Sequence, residues 1–132
     1  MGRILVIDDD DLFREFVQKA LADAGFEVIP AADGDEGLRK FTEVPVDLVI
    51  CDVIMPNKDG LETIRAIRSI SARLPIITMT GGILADTEDG LDDLRMSMAF
   101  GATLTIGKPF RASKLLKLVR DCLGERAGPP PA

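Results

Sequence analysis

The strongest constraint on the fold is an apolar run that ends abruptly in an acid: residues 46–52 read Val-Asp-Leu-Val-Ile-Cys-Asp. β-Branched residues in a run of this length favour a buried strand, and Pro56 with Asp59-Gly60 predicts a loop directly after it. Asp52 is therefore expected at the carboxyl end of a strand inside a sheet. A carboxylate there needs a cation, a hydrogen-bond donor or a chemical task, because a lone buried charge is costly. Helix capping is a weaker explanation, since the next helix is expected to start near Gly60, beyond the reach of Asp52.

The rest of the chain alternates between short apolar runs and amphipathic segments. The apolar runs predict strands at 3–7, 26–29, 75–80 and 103–106, besides the strand that ends at Asp52. Helical spacing of apolar residues predicts helices at 12–24, 36–42, 61–70, 89–100 and 113–123. Because the strands have no polar face, they require a parallel sheet that helices cover on both sides. The predicted fold class is α/β, with a doubly wound five-stranded parallel sheet.

The first predicted helix carries one broad apolar stripe, and a stripe of this kind faces the core. Its members are Leu12, Phe13, Phe16, Val17, Ala20, Leu21 and Ala24. Asp10 and Asp11 are interpreted as the N-cap and start of this helix rather than as ligands. The length of 132 residues fits one domain. We assign that domain to residues 1–124 and a flexible Pro/Gly-rich tail to residues 125–132.

Composition excludes several classes of function. The chain has 16 Lys and Arg against 22 Asp and Glu, so its net charge of -6 disfavours nucleic acid and anionic membranes as partners. It contains no histidine, which excludes catalysis by histidine and leaves zinc sites without one of their usual ligands. The two cysteines, Cys51 and Cys122, are interpreted as small core residues. The chain lacks a long apolar run and begins directly with a strand, so a cytoplasmic location is expected.

The chemically active side chains of this sequence follow the predicted strands. They are Asp8, Asp9, Asp52, Thr80 and Lys108. The carboxyl ends of strands in a doubly wound sheet form the ligand crevice, so we expect these side chains to meet there. Three converging carboxylates require a divalent cation, and ligands that are all oxygen indicate Mg²⁺ or Mn²⁺. With the ammonium of Lys108 and the hydroxyl of Thr80, the set suits a phosphoryl group on a nucleophilic Asp52.

At these residues the sequence resembles the receiver domain of two-component response regulators, of the chemotaxis-regulator type. Four segments carry the resemblance: Ile4–Asp10, Asp47–Pro56 with Asp59-Gly60, Pro75–Gly81 and Lys108–Phe110. The resemblance extends from Arg3 to about Leu123. It implies a flavodoxin-like (βα)5 fold with strand order 2-1-3-4-5, in which the first and third strands are neighbours.

The resemblance also implies a role for each site residue. Asp52 would accept a phosphoryl group from a sensor histidine kinase or a phosphotransfer protein. Asp9, Asp52 and the backbone carbonyl of Ile54 would hold Mg²⁺, with Asp8 acting through water. Lys108 would contact the phosphoryl oxygens, and its peptide bond to Pro109 would be cis. The family consists of regulatory phosphoacceptors rather than enzymes, although they assist their own phosphorylation and slow dephosphorylation.

The chain departs from the family pattern in three respects. Position 105, which is often aromatic and moves inward on phosphorylation, is Thr105 here. The segment between Thr80 and Lys108 is longer than expected and includes an acidic insertion, Ile83–Asp93, whose spacing does not match a calcium-binding loop. Only the Pro/Gly-rich tail follows, so the output protein is not predicted.

Two other classes of function would use a similar set of acids and a lysine or a similar fold. A phosphohydrolase with an aspartyl-phosphate intermediate would normally place its nucleophile in an Asp-x-Asp motif on an early strand and add a substrate cap domain. The sequence contains neither a cap nor room for one. A receiver-like interaction module that is never phosphorylated would show degraded site residues. All five site residues are present, which favours the phosphorylated switch.

Overall fold

The structure, a computed structural model, describes residues 2–53, 60–81, 98 and 101–124. The strands within these ranges are β1 (Arg3–Ile7), β2 (Glu27–Ala31), β3 (Leu48–Asp52), β4 (Ile76–Gly81) and β5 (Leu104–Lys108). The helices are α1 (Asp11–Asp23), α2 (Gly34–Glu43), α3 (Gly60–Ile70) and α4 (Ala112–Cys122). Each of the first three strands is followed by a helix, as the sequence predicts.

The five strands form one parallel sheet in the order β2-β1-β3-β4-β5. β1 lies between β2 and β3, and Ile7 is in register with Cys51 on β3. β4 continues the sheet to β5, where Gly81 is in register with Lys108. The predicted α/β class and strand order are therefore confirmed. This order places the carboxyl ends of β1 and β3 side by side.

Apolar layers cover both faces of the sheet. Along β1, Ile4 and Val6 pack on one face while Leu5 and Ile7 pack on the other, and all four side chains are fully buried. The first face is covered by α1 and α4 through Val17, Leu21, Leu115 and Val119. The second face is covered by α2 and α3 through Leu38, Phe41, Ile64 and Ile67. Burial on both faces explains why the strand sequences are continuously apolar.

The helix ends follow from local side-chain chemistry. The Asp10 carboxylate accepts a hydrogen bond of 3.1 Å from the backbone N–H of Phe13, which confirms its predicted capping role. Asp33 caps α2 in the same way, accepting from the Glu36 N–H at 2.8 Å. Gly25 adopts φ of 96° just after α1, a conformation that glycine tolerates best. These caps place α1 and α2 beside the strands that carry the site.

The observed bounds differ from the predicted ones by a few residues. β2 was predicted at 26–29 but spans Glu27–Ala31 and includes Pro30. Proline is tolerated because β2 is an edge strand, so its missing N–H removes no hydrogen bond from an inner ladder. α2 begins at Gly34 rather than residue 36, because the Asp33 cap precedes the apolar positions that predicted the helix.

One prediction about α1 is wrong in part. Val17 and Leu21 are buried as expected, but Leu12 is 79% exposed and Phe16 is 38% exposed. The sheet contacts only one side of the helix, and the broad apolar stripe is wider than that contact. Leu12 therefore remains at the surface, and Phe16 is partly exposed while it packs against Phe13 and Phe110.

Several predictions concern residues outside the described ranges. These are the backbone carbonyl of Ile54, most of the helix predicted at 89–100, the insertion Ile83–Asp93 and the tail at 125–132. The boundary between domain and tail stays a prediction for the same reason. Among the described helices, none has the length and apolar character that crossing a bilayer requires.

Candidate functional site

The carboxyl ends of β1, β3 and β5 bring three charged side chains together. Asp8 follows β1 directly, Asp52 ends β3, and Lys108 ends β5. The Lys108 ammonium donates a hydrogen bond of 2.8 Å to Asp8 Oδ2 and one of 3.0 Å to Asp52 Oδ2. The pair Asp8 and Lys108 is separated by 100 residues in the sequence. The predicted convergence of these three residues is confirmed by these contacts.

The two carboxylates keep Lys108 positively charged despite its environment. Burial favours the neutral amine and acts to lower the pKa of Lys108. The hydrogen bonds to Asp8 and Asp52 and the negative charges of these residues outweigh burial, so the pKa is raised above its ordinary value. Lys108 therefore carries its positive charge at neutral pH. Its side chain is 18% exposed.

Asp8 is fully buried and is held on every side by neighbouring polar groups. Its Oδ1 accepts a hydrogen bond of 2.9 Å from the Asp10 N–H, while its Oδ2 accepts from Lys108. Its backbone carbonyl accepts a hydrogen bond of 2.7 Å from Arg14, and its N–H donates to the Ala31 carbonyl at 3.1 Å. These contacts fix the carboxylate relative to the sheet and leave it little freedom to rearrange.

Asp9 completes a cluster of three acids with Asp8 and Asp52. One oxygen from each carboxylate lies within 4.8 Å of the other two. Asp9 is exposed, whereas Asp8 and Asp52 are buried, so the cluster opens to solvent on one side. Oxygen ligands at this spacing fit a small divalent cation such as Mg²⁺ or Mn²⁺, and histidine and cysteine are absent from the set.

Thr80 lies on β4 next to the acid cluster. Met79 is in register with Asp52, so Thr80 is one residue beyond it at the same edge of the sheet. Its side chain is buried, and its register partner on β5 is Gly107. Glycine at that position adds no side chain beside the threonine hydroxyl. Thr80 is thus placed where the sequence predicted it, close to Asp52 and on the strand beside it.

A close backbone approach fixes the start of α3 against Asp52. The Gly60 N–H donates a hydrogen bond of 3.2 Å to the Val53 carbonyl. A Cβ atom added at Gly60 would overlap the backbone carbonyl oxygen of Asp52. Only glycine allows this approach, and sequence reasoning assigned Gly60 to the turn without recognising its contact with the site.

Sequence reasoning also missed an aromatic cluster beside Lys108. The Phe13 and Phe110 rings meet edge to face with centroids 5.2 Å apart, and Phe16 lies 5.5 Å from Phe13. The Lys108 ammonium lies over the face of the Phe13 ring, 4.3 Å from its centroid. Phe13 was assigned to the core stripe of α1. Two signals could have indicated the cluster: the i, i+3 spacing of Phe13 and Phe16, and the position of Phe110 two residues after Lys108.

The peptide bond between Lys108 and Pro109 is cis, as the resemblance implied. This bond follows the last residue of β5 and precedes Phe110, a member of the aromatic cluster. The predicted metal ligand Ile54 is outside the described residues, so its carbonyl stays a prediction.

Comparisons with known proteins agree with this geometry. Residues 4–120 match a family model described as the response regulator receiver domain. The transcriptional regulatory protein DltR of Streptococcus agalactiae is 36% identical over 119 residues, which are 89% of this chain and 50% of DltR. The regulatory protein AtoC of Escherichia coli is 34% identical over 123 residues, covering 93% of this chain and 25% of AtoC. The chain thus spans half or less of the length of these curated relatives.

Solved structures give the same result. The chemotaxis protein CheY4 of Vibrio cholerae is 36% identical with a TM-score of 0.82, covering 93% of this chain and 99% of that protein. A response regulator receiver domain protein from Clostridium thermocellum is 32% identical with a TM-score of 0.83, covering 94% of this chain and 95% of that one. The similarity therefore includes the whole fold.

Proposed function

This chain belongs to the family of response regulator receiver domains, and from that premise we propose that it is a switch controlled by phosphorylation of Asp52. Receiver domains are regulatory domains rather than classical enzymes. The observation that carries the proposal is the Lys108 ammonium between Asp8 and Asp52, at 2.8 and 3.0 Å. In this contact the positively charged Lys108 lies beside Asp52, the carboxylate that ends the inner strand β3. A phosphoryl group on Asp52 would therefore lie next to the Lys108 ammonium.

Asp52 is proposed as the nucleophile because its carboxylate is buried yet borders the open side of the acid cluster. One carboxylate oxygen would attack the phosphorus of a phosphohistidine on a sensor histidine kinase or phosphotransfer protein. The new P–O bond forms as the P–N bond breaks, and the electron pair of that bond stays on the imidazole nitrogen of the donor. Hydrolysis of the acyl phosphate by water would later restore the Asp52 carboxylate and release inorganic phosphate.

The acid cluster is proposed to hold Mg²⁺, with Mn²⁺ as a substitute. Asp9 and Asp52 would be ligands together with the carbonyl of Ile54. Asp8 would act through water, as the family resemblance implies, and its two carboxylate oxygens accept hydrogen bonds from Asp10 and from Lys108. When bound, the ion would offset the negative charge that the carboxylates and the phosphoryl oxygens bring together.

Lys108 and Thr80 are proposed to contact the phosphoryl oxygens. The ammonium of Lys108 has three donors, and its present bonds to Asp8 and Asp52 leave it within reach of any group on Asp52. Thr80 would donate its hydroxyl hydrogen to a second oxygen. Movement of Thr80 toward Asp52 would pull on the backbone of β4 at Gly81, which links the chemistry to a change in shape.

The test is phosphorylation with a small phosphodonor such as acetyl phosphate plus Mg²⁺, followed by intact mass measurement. We expect the mass of one phosphoryl group to be added to the wild type and none to Asp52→Asn. Asp47→Asn is the matched control, since Asp47 lies at the opposite end of β3. Labelling of Asp52→Asn at the wild-type level would refute the proposal.

The alternative is a receiver-like module that binds partners without phosphorylation. It would show partner binding that neither the phosphodonor nor Asp52→Asn changes. The presence of Asp8, Asp9, Asp52, Thr80 and Lys108 in one place favours the phosphorylated switch. A cytoplasmic location, a kinase partner and an output protein of unknown identity belong to the same proposal, with no role for nucleic acid or membrane binding in this domain.

A further inference from the structure

The Lys108 ammonium has a third partner besides its two carboxylates. Asp8 and Asp52 accept hydrogen bonds from it, and the face of the Phe13 ring lies under it with the centroid 4.3 Å away. The face of a phenyl ring carries negative electrostatic potential and attracts a cation at this distance. The attraction is strengthened where water is partly excluded, and the Lys108 side chain is only 18% exposed.

The Phe13 ring is itself held in place. Phe110 meets it edge to face at 5.2 Å, and Phe16 packs beside it at 5.5 Å. Its backbone N–H donates to the Asp10 cap at 3.1 Å, which fixes the first turn of α1. A ring restrained by two other rings and by a helix cap offers a stationary surface to the ammonium.

We propose that Phe13 is a positioning residue: the face of its ring holds the Lys108 ammonium beside Asp52, in place for the oxygens of an incoming phosphoryl group. This inference rests on the proposed function of Asp52 as phosphoacceptor. When Asp52 forms an acyl phosphate it loses its own carboxylate charge, so its ion pair with Lys108 weakens as the phosphoryl group arrives. The Asp8 carboxylate and the ring face remain as partners that do not change during the reaction, and of the two only the ring leaves the N–H donors of the ammonium unused.

The physical need for such a partner comes from the flexibility of lysine. A four-carbon side chain has several rotatable bonds, and an ammonium that loses one carboxylate can turn toward solvent. A ring beneath the ammonium reduces that freedom without competing for its hydrogens, since the ring takes no conventional hydrogen bond. Phe13 therefore keeps the three N–H donors available for oxygen atoms.

The proposal requires the electron density of the ring, whereas a packing role requires only its shape. Replacing Phe13 by 4-fluoro- and then 3,4,5-trifluorophenylalanine withdraws density from the ring face while the size changes little. The same series at Phe16 is the matched control. Phe16 belongs to the same aromatic cluster. Among the described residues, however, the ring under the Lys108 ammonium is that of Phe13.

The measurement is the affinity for beryllofluoride, a stable mimic of the phosphoryl group, by titration calorimetry in the presence of Mg²⁺. We expect affinity to fall progressively along the Phe13 series, by about two- to fivefold in total, and to stay constant along the Phe16 series. Phe13→Tyr should keep wild-type affinity because it retains an electron-rich ring. In the Mg²⁺-free proteins, NMR signals of the Lys108 ε-CH₂ group should retain their ring-current shift, which shows that the side chain still lies over the ring.

Three outcomes are distinguishable. Equal beryllofluoride affinity along the whole Phe13 series, with normal wild-type binding, would refute the positioning role and leave the proposed function intact. Equal losses along the Phe13 and Phe16 series would assign the effect to packing and also refute it. If beryllofluoride does not bind the wild type at all, the proposed function itself fails.

Discussion

Thr78 and Thr105 face each other across β4 and β5, with their hydroxyl oxygens 2.8 Å apart. Thr78 is fully buried, and Thr105 also lies 3.9 Å from the sulfur of Met98. Thr105 occupies the position where the family often has an aromatic side chain that moves on phosphorylation. In this chain the position is instead tied to the neighbouring strand by a hydrogen bond. The pair therefore stabilises the β4–β5 ladder close to the site.

The first prediction concerns the strength of this hydroxyl pair. Thr105→Val should lower the free energy of unfolding by about 1 kcal/mol, because the buried Thr78 hydroxyl then keeps only its long bond of 3.5 Å to the Leu104 carbonyl. The double variant Thr78→Val/Thr105→Val should recover part of that loss, since no buried hydroxyl is then left with a weakened set of partners. Urea unfolding of the single and double variants gives the coupling energy directly. Additive losses would show that the two hydroxyls do not interact.

The second prediction is the route by which phosphorylation is transmitted. Thr105 is small and hydrogen-bonded to Thr78, so it cannot fill the space that Thr80 would leave. We expect the response to pass through Gly81 into the acidic insertion Ile83–Asp93. Hydrogen exchange with and without beryllofluoride should show changed protection across residues 81–94. Changes confined to residues 104–106 would contradict this route.

The third prediction is that Asp9 is a ligand of the divalent ion. Asp9→Asn should weaken Mg²⁺ binding and phosphorylation together, because an amide carries no charge to offset the ion. The expected Mg²⁺ affinity of the wild type is modest, since the ion would keep several waters. A magnesium titration followed by NMR measures it, with Asp11→Asn as the control on the adjacent helix start. Wild-type labelling of Asp9→Asn across the titration would exclude Asp9 as a ligand.

The fourth prediction uses the raised pKa of Lys108. The fold favours its charged form, so the stabilisation is complete below the ordinary pKa of 10.5 and is lost as pH rises through the higher folded value. The stability advantage of the wild type over Lys108→Met should therefore shrink above about pH 10.5. Lys19→Met is the control, because Lys19 is 78% exposed. Urea unfolding at several pH values provides the comparison, and a constant difference would contradict the ion pairs.

The fifth prediction is that Gly60 cannot be replaced without disturbing Asp52. A Cβ atom there would overlap the Asp52 carbonyl, so Gly60→Ala should cost about 1–3 kcal/mol of stability and slow phosphorylation. Gly2→Ala is a suitable control, because its new Cβ would meet its nearest neighbours at an ordinary 3.4 Å. Thermal unfolding and labelling rates with acetyl phosphate test both effects. Wild-type stability and labelling of Gly60→Ala would contradict the prediction, because the backbones at Gly60 and Asp52 would then separate at little cost.

The fold class could be predicted from the amino-acid sequence, because a strand that is buried on both faces has a continuous apolar sequence. The apolar runs Ile4–Ile7 of β1 and Leu48–Cys51 of β3 are continuous for that reason, and an acid comes directly after each run and marks the edge of the sheet. The sequence also predicted that Asp8, Asp52 and Lys108 lie together, since charged side chains at strand ends are costly unless they meet, and the structure places them in contact. The capping of α1 by Asp10 could likewise be predicted from the sequence.

How far each apolar surface is covered, and which distant side chains touch, depends on how the helices pack on the sheet. Leu12 and Phe16 fit the helical stripe but lie beyond the reach of the sheet. Phe13 and Lys108 are far apart in the sequence. They are in contact because the end of β5 places the Lys108 ammonium over the first turn of α1. Periodicity specifies which side of an element is apolar, whereas contacts of this kind depend on how separate elements pack, and that is set by the fold as a whole.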